Sequence, residues 1–278
     1  MRSVDCARLP GGSSLSRMSD LGSHRWALVV AHPGHELRAF HFLERTRPLV
    51  AVLTDGSGAH GVPRLHDTTC VLDEAEATRS RVYGCFTDRE AYAYLMARDG
   101  SRFLEIARAL GGTFEEHRIT AVVTDAAEGY NPLHDVCRAI AEAAVRLCSP
   151  RAPLLFELDL VGHPDGSGVG IRLSLDDHAF ARKLDTVHRY TVLAGEARAA
   201  FDQHGVEAFR TEFLRRTVTN VLPPPDHVPY YERVGDERVR QGRYRSVLRY
   251  NEHVRPVLAA LLVAGTADTY ALPLDPLH

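Results

Sequence analysis

The sequence predicts an α/β fold: a Rossmann-like, mostly parallel sheet with helices on both faces and a helical C-terminal portion. Two observations predict it. Short apolar runs, each closed by turn or polar residues, have the chemistry of strands buried on both faces, and helix-length amphipathic stretches lie between them. After the fourth such run, helix-like sequence dominates.

The first run, Trp26–Ala31, contains two adjacent valines and reads as a strand. Glu36–Arg45 follows as a helix with Leu37, Phe40 and Leu43 on one side. Leu49–Thr54 is the second strand. Ser101–Glu116 carries Phe103, Ile106, Ala107 and Leu110 at helical spacing and precedes a third strand, Ile119–Asp125. Leu133–Leu147 is the next helix, with Val136, Ile140, Ala143, Ala144 and Leu147 facing a core. Leu154–Leu160 is the fourth strand. Asp176–Gln203 reads as helical with Lys183, Arg189 and Arg198 exposed, and Val206–Arg216 as a further helical stretch. The prolines of LPPPDHVPYYERVG argue against regular helix there, and Tyr250–Val263 closes the chain's core as a last helix. Residues 1–24, rich in Ser, Gly and Arg, read as a mobile leader, and 25–278 as a single domain.

Composition narrows the function. The 278 residues are 45% hydrophobic and 25% charged, with a formal net charge of -3, which gives no electrostatic case for nucleic acid. No apolar run approaches the roughly 20 residues that span a bilayer. The 5 cysteines form no CxxC pair, which speaks against a structural cysteine–zinc site and for reduced thiols in a cytoplasmic protein. The partner expected is a small-molecule substrate; oligomeric state is open.

The chemistry concentrates where strands end. His32 and His35 sit three residues apart in the turn after the first strand, and His134 follows the third strand at the start of its helix. In a parallel sheet both strands end at the same edge, so three imidazoles can converge on one divalent ion, with zinc the expected metal. The competing reading is two solvated loop histidines and a residue that merely opens a helix. There is no G-x-S-x-G elbow, P-loop or G-x-G-x-x-G.

The motifs carry a resemblance. Ala31-His32-Pro33-Gly34-His35-Glu36 is similar to the A-H-P-D-D-E motif of the LmbE-like, or PIG-L, metal-dependent N-deacetylases. Thr54-Asp55-Gly56 resembles the T-D-G that ends the family's next strand, and Glu128-Gly129-Tyr130-Asn131-Pro132-Leu133-His134-Asp135 its E-G-G-H-P-D-H-D. Glu74, Glu76 and Arg79 fit an arginine- and glutamate-bearing helix of the family, which makes Arg79 a candidate substrate contact. The tail from Pro229 to Leu258 adds to the likeness, which spans about residues 26–263.

By this resemblance His32, His35 and His134 are the metal ligands, with His35 in place of an aspartate. Replacing that anion with imidazole leaves more positive charge on the metal and makes a bound water more acidic. Gly34 stands where the family has its general base. Asn131 stands where it has a histidine that stabilises the oxyanion or delivers a proton; asparagine donates a hydrogen bond but shuttles no proton. Candidates for the missing carboxylate are Glu36, preferred as a structural residue beside the ligands, and Asp165, which competes with a plain proline–glycine turn. Tyr130 either contacts substrate or packs. The resemblance implies a metal-dependent amide hydrolase acting on an N-acylated amino sugar or a related natural-product intermediate. The altered motif keeps two alternatives open: a repurposed member with another reaction on a small polar metabolite, and a non-catalytic metal- or sugar-binding protein.

Overall fold

The computed structural model describes residues 18–58, 61–217, 222–224 and 226–264. Seven strands form one sheet: β1 Trp26–Val30, β2 Leu49–Thr54, β3 Thr78–Phe86, β4 Ala121–Asp125, β5 Leu154–Leu158, β6 Gly170–Ser174 and β7 Thr211–Arg216. Their order is β3-β2-β1-β4-β5-β7-β6. β1 to β5 are parallel; β7 runs antiparallel to both β5 and β6.

β1 is buried along its whole length, and its side chains alternate between two cores. Ala27, Val29 and Ala31 join Phe103, Leu110, Ile140 and Leu258 on one face, covered by α4 (Ser101–Glu116), α5 (Pro132–Leu147) and α9 (Arg255–Ala264). Trp26, Leu28 and Val30 join Phe40, Phe42 and Leu72 on the other, covered by α1 (Phe40–Thr46) and α2 (Leu65–Glu74). Helices on both faces make the near-continuous apolar strand a necessity, since neither side meets water. The remaining helices are α3 Asp88–Met96, α6 Asp177–Arg189, α7 Ala194–His204 and α8 Tyr230–Arg240. Among the described residues no helix is long and apolar enough to cross a membrane.

Several expectations need correction. β3, β6 and β7 lack continuous apolar runs. They lie at or near the sheet's edges, and each mixes buried with partly or fully exposed positions. The segment expected as helix from Val206 to Arg216 is a short 3-10 turn, Val206–Arg210, followed by β7. Non-local pairing with β5 and β6 overrides its local propensity. α2 stops at Glu74, so Arg79 belongs to a strand. The proline-rich segment does yield a helix, α8, which begins directly after Pro229. Residues 1–17 of the expected leader lie outside the described residues. Met18–Ser23 form a 3-10 turn that buries Leu21, whose carbonyl accepts the Trp26 indole N–H at 2.8 Å.

Lys183 is also corrected. It is buried, not exposed: its ammonium donates to Glu212 Oε1 at 2.8 Å and to the Arg38 carbonyl at 3.0 Å. Glu212 in turn accepts the backbone N–H groups of His41 and Phe42 at 2.9 and 2.8 Å, at the start of α1. The pair thus ties α6, α1 and β7 together.

Candidate functional site

After β1 the chain moves outward to β2 and β3, then returns to place β4 on the other side of β1. That reversal opens a crevice at the carboxyl ends of β1 and β4, where open α/β sheets bind ligands. β1 and β4 pair in register, Trp26 opposite Ala121 and Val29 opposite Thr124, so the turns that follow them meet.

The turn after β1 is set by Gly34 at φ +102°, a left-handed conformation that favours glycine. Its N–H donates to Glu36 Oε2 at 2.8 Å, while the Thr68 hydroxyl donates to Glu36 Oε1 at 2.8 Å. Both oxygens of this fully buried carboxyl are therefore engaged, and burial raises its pKa. Glu36 holds the turn, bridging the Gly34 N–H and the Thr68 hydroxyl.

The turn after β4 leads into α5, which Asn131 caps. Asn131 Oδ1 accepts the Leu133 N–H at 2.9 Å and the Tyr92 hydroxyl at 3.3 Å. These two donors settle which end of the amide is oxygen, and leave Nδ2 3.5 Å from His32 Nε2. Tyr130, just before it, is 45% exposed and stacks on Tyr230, with ring centres 4.9 Å apart and planes 4° from parallel. It forms a rim beside the crevice.

His32, His35 and His134 come together. Their ring centres are 5.2 Å apart for His32–His35, 5.5 Å for His32–His134 and 4.6 Å for His35–His134. An ion held at about 2.1 Å from an imidazole nitrogen lies about 3.2 Å from the ring centre, so three tetrahedrally placed rings have centres about 5.2 Å apart. The spacing fits. His134 Nδ1 is buried without a hydrogen-bond partner, which is costly unless something else engages it. Burial, opposed by Asp88 and reinforced by His35, lowers the pKa of His32; burial and the two neighbouring rings push His134 well down. Both shifts favour the neutral imidazole that a metal requires. Among the described residues no group of three or more His, Cys, Asp or Glu side chains is placed to hold a metal ion as it stands. The ring spacing carries more weight here, because rotation about the last side-chain torsion redirects the nitrogens while hardly moving the ring centres.

The other candidates lie elsewhere. Asp165 is exposed and ion-paired with Arg172, so a water-facing salt bridge replaces the expected role as base. Arg79 pairs in register with Val50 near the amino end of β2, whereas Thr54 at the carboxyl end pairs with Phe86. At about 3.3 Å per residue this sets it roughly 13 Å down the sheet from the crevice edge, and half-exposed. Asp55 caps its own turn, accepting the Ser57 N–H at 2.9 Å.

Two carboxylates missed by the sequence reading support the histidines. Asp125, the last residue of β4 and fully buried, accepts from His35 Nδ1 and from the Ala31 N–H, both at 2.8 Å. Asp88, at the start of α3, places Oδ1 3.1 Å from His32 Nδ1, which also lies 2.8 Å from Thr54 Oγ1. Burial raises the Asp88 carboxyl, but hydrogen bonds and charge from His32, with help from Thr54 and the Gly58 N–H, outweigh it and hold the group well below the usual carboxylate range. The only sequence signal was position: one aspartate ends a strand, and the other sits inside a Thr87/Glu90 capping box that accounts for it as a helix start.

No family model matches the sequence, and no curated protein does. Solved structures do. A deacetylase triple mutant from the teicoplanin biosynthetic pathway superposes with a TM-score of 0.51 at 19% identity, covering 70% of this chain and 100% of that one. The deacetylase of the A40926 pseudoaglycone superposes with a TM-score of 0.50 at 19% identity, covering 72% of this chain and 99% of that one. At such identity the likeness is one of architecture: the chain shares the fold of these two deacetylases.

Proposed function

We propose, from the deacetylase fold and the three-histidine cluster in its crevice, that this chain is a metal-dependent amide hydrolase of the N-deacetylase type. Its substrate is an N-acylated amino sugar or a related natural-product intermediate, a class in keeping with the teicoplanin pathway and the A40926 pseudoaglycone of the neighbouring deacetylases. One observation carries the reading: three imidazole rings within 4.6–5.5 Å of one another where the strand order reverses. The residues that would hold a divalent cation, zinc by the chemistry of three nitrogen donors, are His32, His35 and His134. A bound cation supplies Lewis acidity, polarising an acyl carbonyl and lowering the pKa of a water.

The chain's own part is orientation. Asn131, fixed by its two hydrogen bonds, turns an N–H donor toward the cluster, where it stabilises charge on a carbonyl oxygen. Tyr130 and Tyr230 wall the entrance and meet the substrate's bulk. Proton transfer is the weak point: Gly34 has no side chain, both Glu36 oxygens are engaged, and Asp165 is exposed and paired. Loss of a general base costs roughly 10²–10⁴-fold in rate, so we expect slow hydrolysis. The same observation favours a second reading, a member turned to another reaction on a small polar metabolite.

The test is acetate release from a panel of N-acetyl amino sugars, with metal content measured on the same protein. Release lost on chelation, with metal lost in His134→Ala, supports the proposal. Metal retained by His134→Ala, or release indifferent to chelators, overturns it.

A further inference from the structure

Asp88 and Asp125 are both buried, and among the described residues neither has a lysine or arginine partner. Each meets a histidine of the cluster through Nδ1. Asp125 Oδ1 and Asp88 Oδ1 also lack a well-formed hydrogen bond. The contrast with His134 is informative: it has no carboxylate behind it, and its own Nδ1 is the buried nitrogen left unpartnered.

We propose that Asp88 and Asp125 are positioning residues that tune the cluster for a divalent cation. They do so by standing behind the His32 and His35 rings at Nδ1, which fixes ring orientation and keeps the proton on that nitrogen. This rests on the metal reading above. A carboxylate behind a ligating imidazole fixes ring orientation and raises nitrogen basicity. At position 35 the negative charge is displaced one residue outward: a neutral ring faces the crevice and Asp125 stands behind it, anchored by the Ala31 N–H. His32 is held differently: its Nδ1 hydrogen-bonds Thr54 Oγ1 at 2.8 Å, and Asp88 Oδ1 stands 3.1 Å away beside that bond. The Nε2 atoms of both rings are thereby left as the donors.

The geometry supplies a clean test. Asp125 takes both hydrogen bonds on Oδ2, while Oδ1 has no partner. Asp125→Asn therefore keeps both acceptor contacts on its carbonyl oxygen and exchanges the unpartnered Oδ1 for an amide nitrogen. Asp125→Ala removes charge and position together. The measurements are zinc affinity of the metal-stripped protein by competition with a chromophoric chelator, the visible spectrum of the cobalt(II) form, and the melting temperature of the stripped protein. We expect affinity to fall about 10-fold in Asp125→Asn and in Asp88→Asn and toward 100-fold in Asp125→Ala, with altered cobalt bands. The stripped Asp125→Asn protein should melt close to wild type, because both hydrogen bonds on Oδ2 remain; Asp202→Asn, at an exposed site, serves as control. A drop in melting temperature with unchanged affinity would show the carboxylates to be merely structural and overturn the inference. If wild-type protein binds no divalent ion, the metal reading itself fails. If wild type binds, His134→Ala does not, and Asp125→Asn binds like wild type, only this inference fails.

Discussion

Restoring an aspartate at position 34 is the sharpest probe of the site, and its cost can be worked from the structure. Gly34 lies at φ +102°, where a side chain strains the backbone by about 1–3 kcal/mol. A Cβ there would stand 2.0 Å from Leu193 Cδ1, 3.4 Å from its Cγ and 3.7 Å from Tyr190 Cζ. The Leu193 methyl is the far end of a half-buried side chain and swings away for about 1 kcal/mol, the low end of overpacking costs. Gly34→Asp alone should therefore lose about 2–4 kcal/mol. At roughly 2–4 °C per kcal/mol for a chain of this size, the melting temperature falls by about 5–15 °C. It should gain little acetate release, because the carboxylate meets Leu193 and Tyr190 first. Gly34→Asp with Leu193→Ala removes the obstruction, recovers part of the lost stability and, if the missing base limits hydrolysis, raises acetate release by about 10²–10⁴-fold. Thermal unfolding by circular dichroism and an acetate assay on the three proteins decide it. A single variant melting within about 1 °C of wild type would refute the strain argument. A double variant that folds and binds metal but gains no rate would refute the view that a lost base is what limits hydrolysis.

Other outcomes follow from the buried ion pairs. Lys183→Met leaves the Glu212 carboxylate buried with only two backbone N–H donors, and should cost about 3–5 kcal/mol in urea unfolding; Lys183→Met with Glu212→Gln should recover much of it. A loss under about 1 kcal/mol in the single variant would mean that the pair is hydrated. Glu157 lies between Arg138 and Arg215 at 2.7 and 2.8 Å; burial raises its carboxyl, but the two guanidinium groups outweigh that and lower it from the ordinary 4.5. A carboxylate lowered in the folded state adds stability above its unfolded pKa and loses it as pH falls through the folded one. Glu157→Gln should therefore destabilise at pH 7, and the difference should shrink steadily below about pH 4.5; a difference that persists undiminished at acid pH would exclude the linkage.

The legible parts of this protein were those whose physics is local. β1, β2 and β4 are buried along their length and β5 at most positions, so runs of mainly apolar side chains mark them in the chain. α4 and α5 announce themselves by one apolar stripe each, and His32, His35 and His134 by their places just past strand ends. Edge strands carry no such mark: β3 mixes buried and exposed residues, and β7 exists because β5 and β6 offer it hydrogen bonds from far along the chain. The same holds for side chains. Lys183 reads as a surface lysine until Glu212 on a distant strand buries it, and Asp165 reads as a spare carboxylate until Arg172 takes it. Asp88 and Asp125 reach the histidines only after the parallel sheet brings the ends of three strands to one edge. Local pattern thus determined the layers and nominated the imidazoles. Which charges stand behind them, and what fills the space at Gly34, was decided by contacts between residues far apart in sequence, which composition and periodicity do not record.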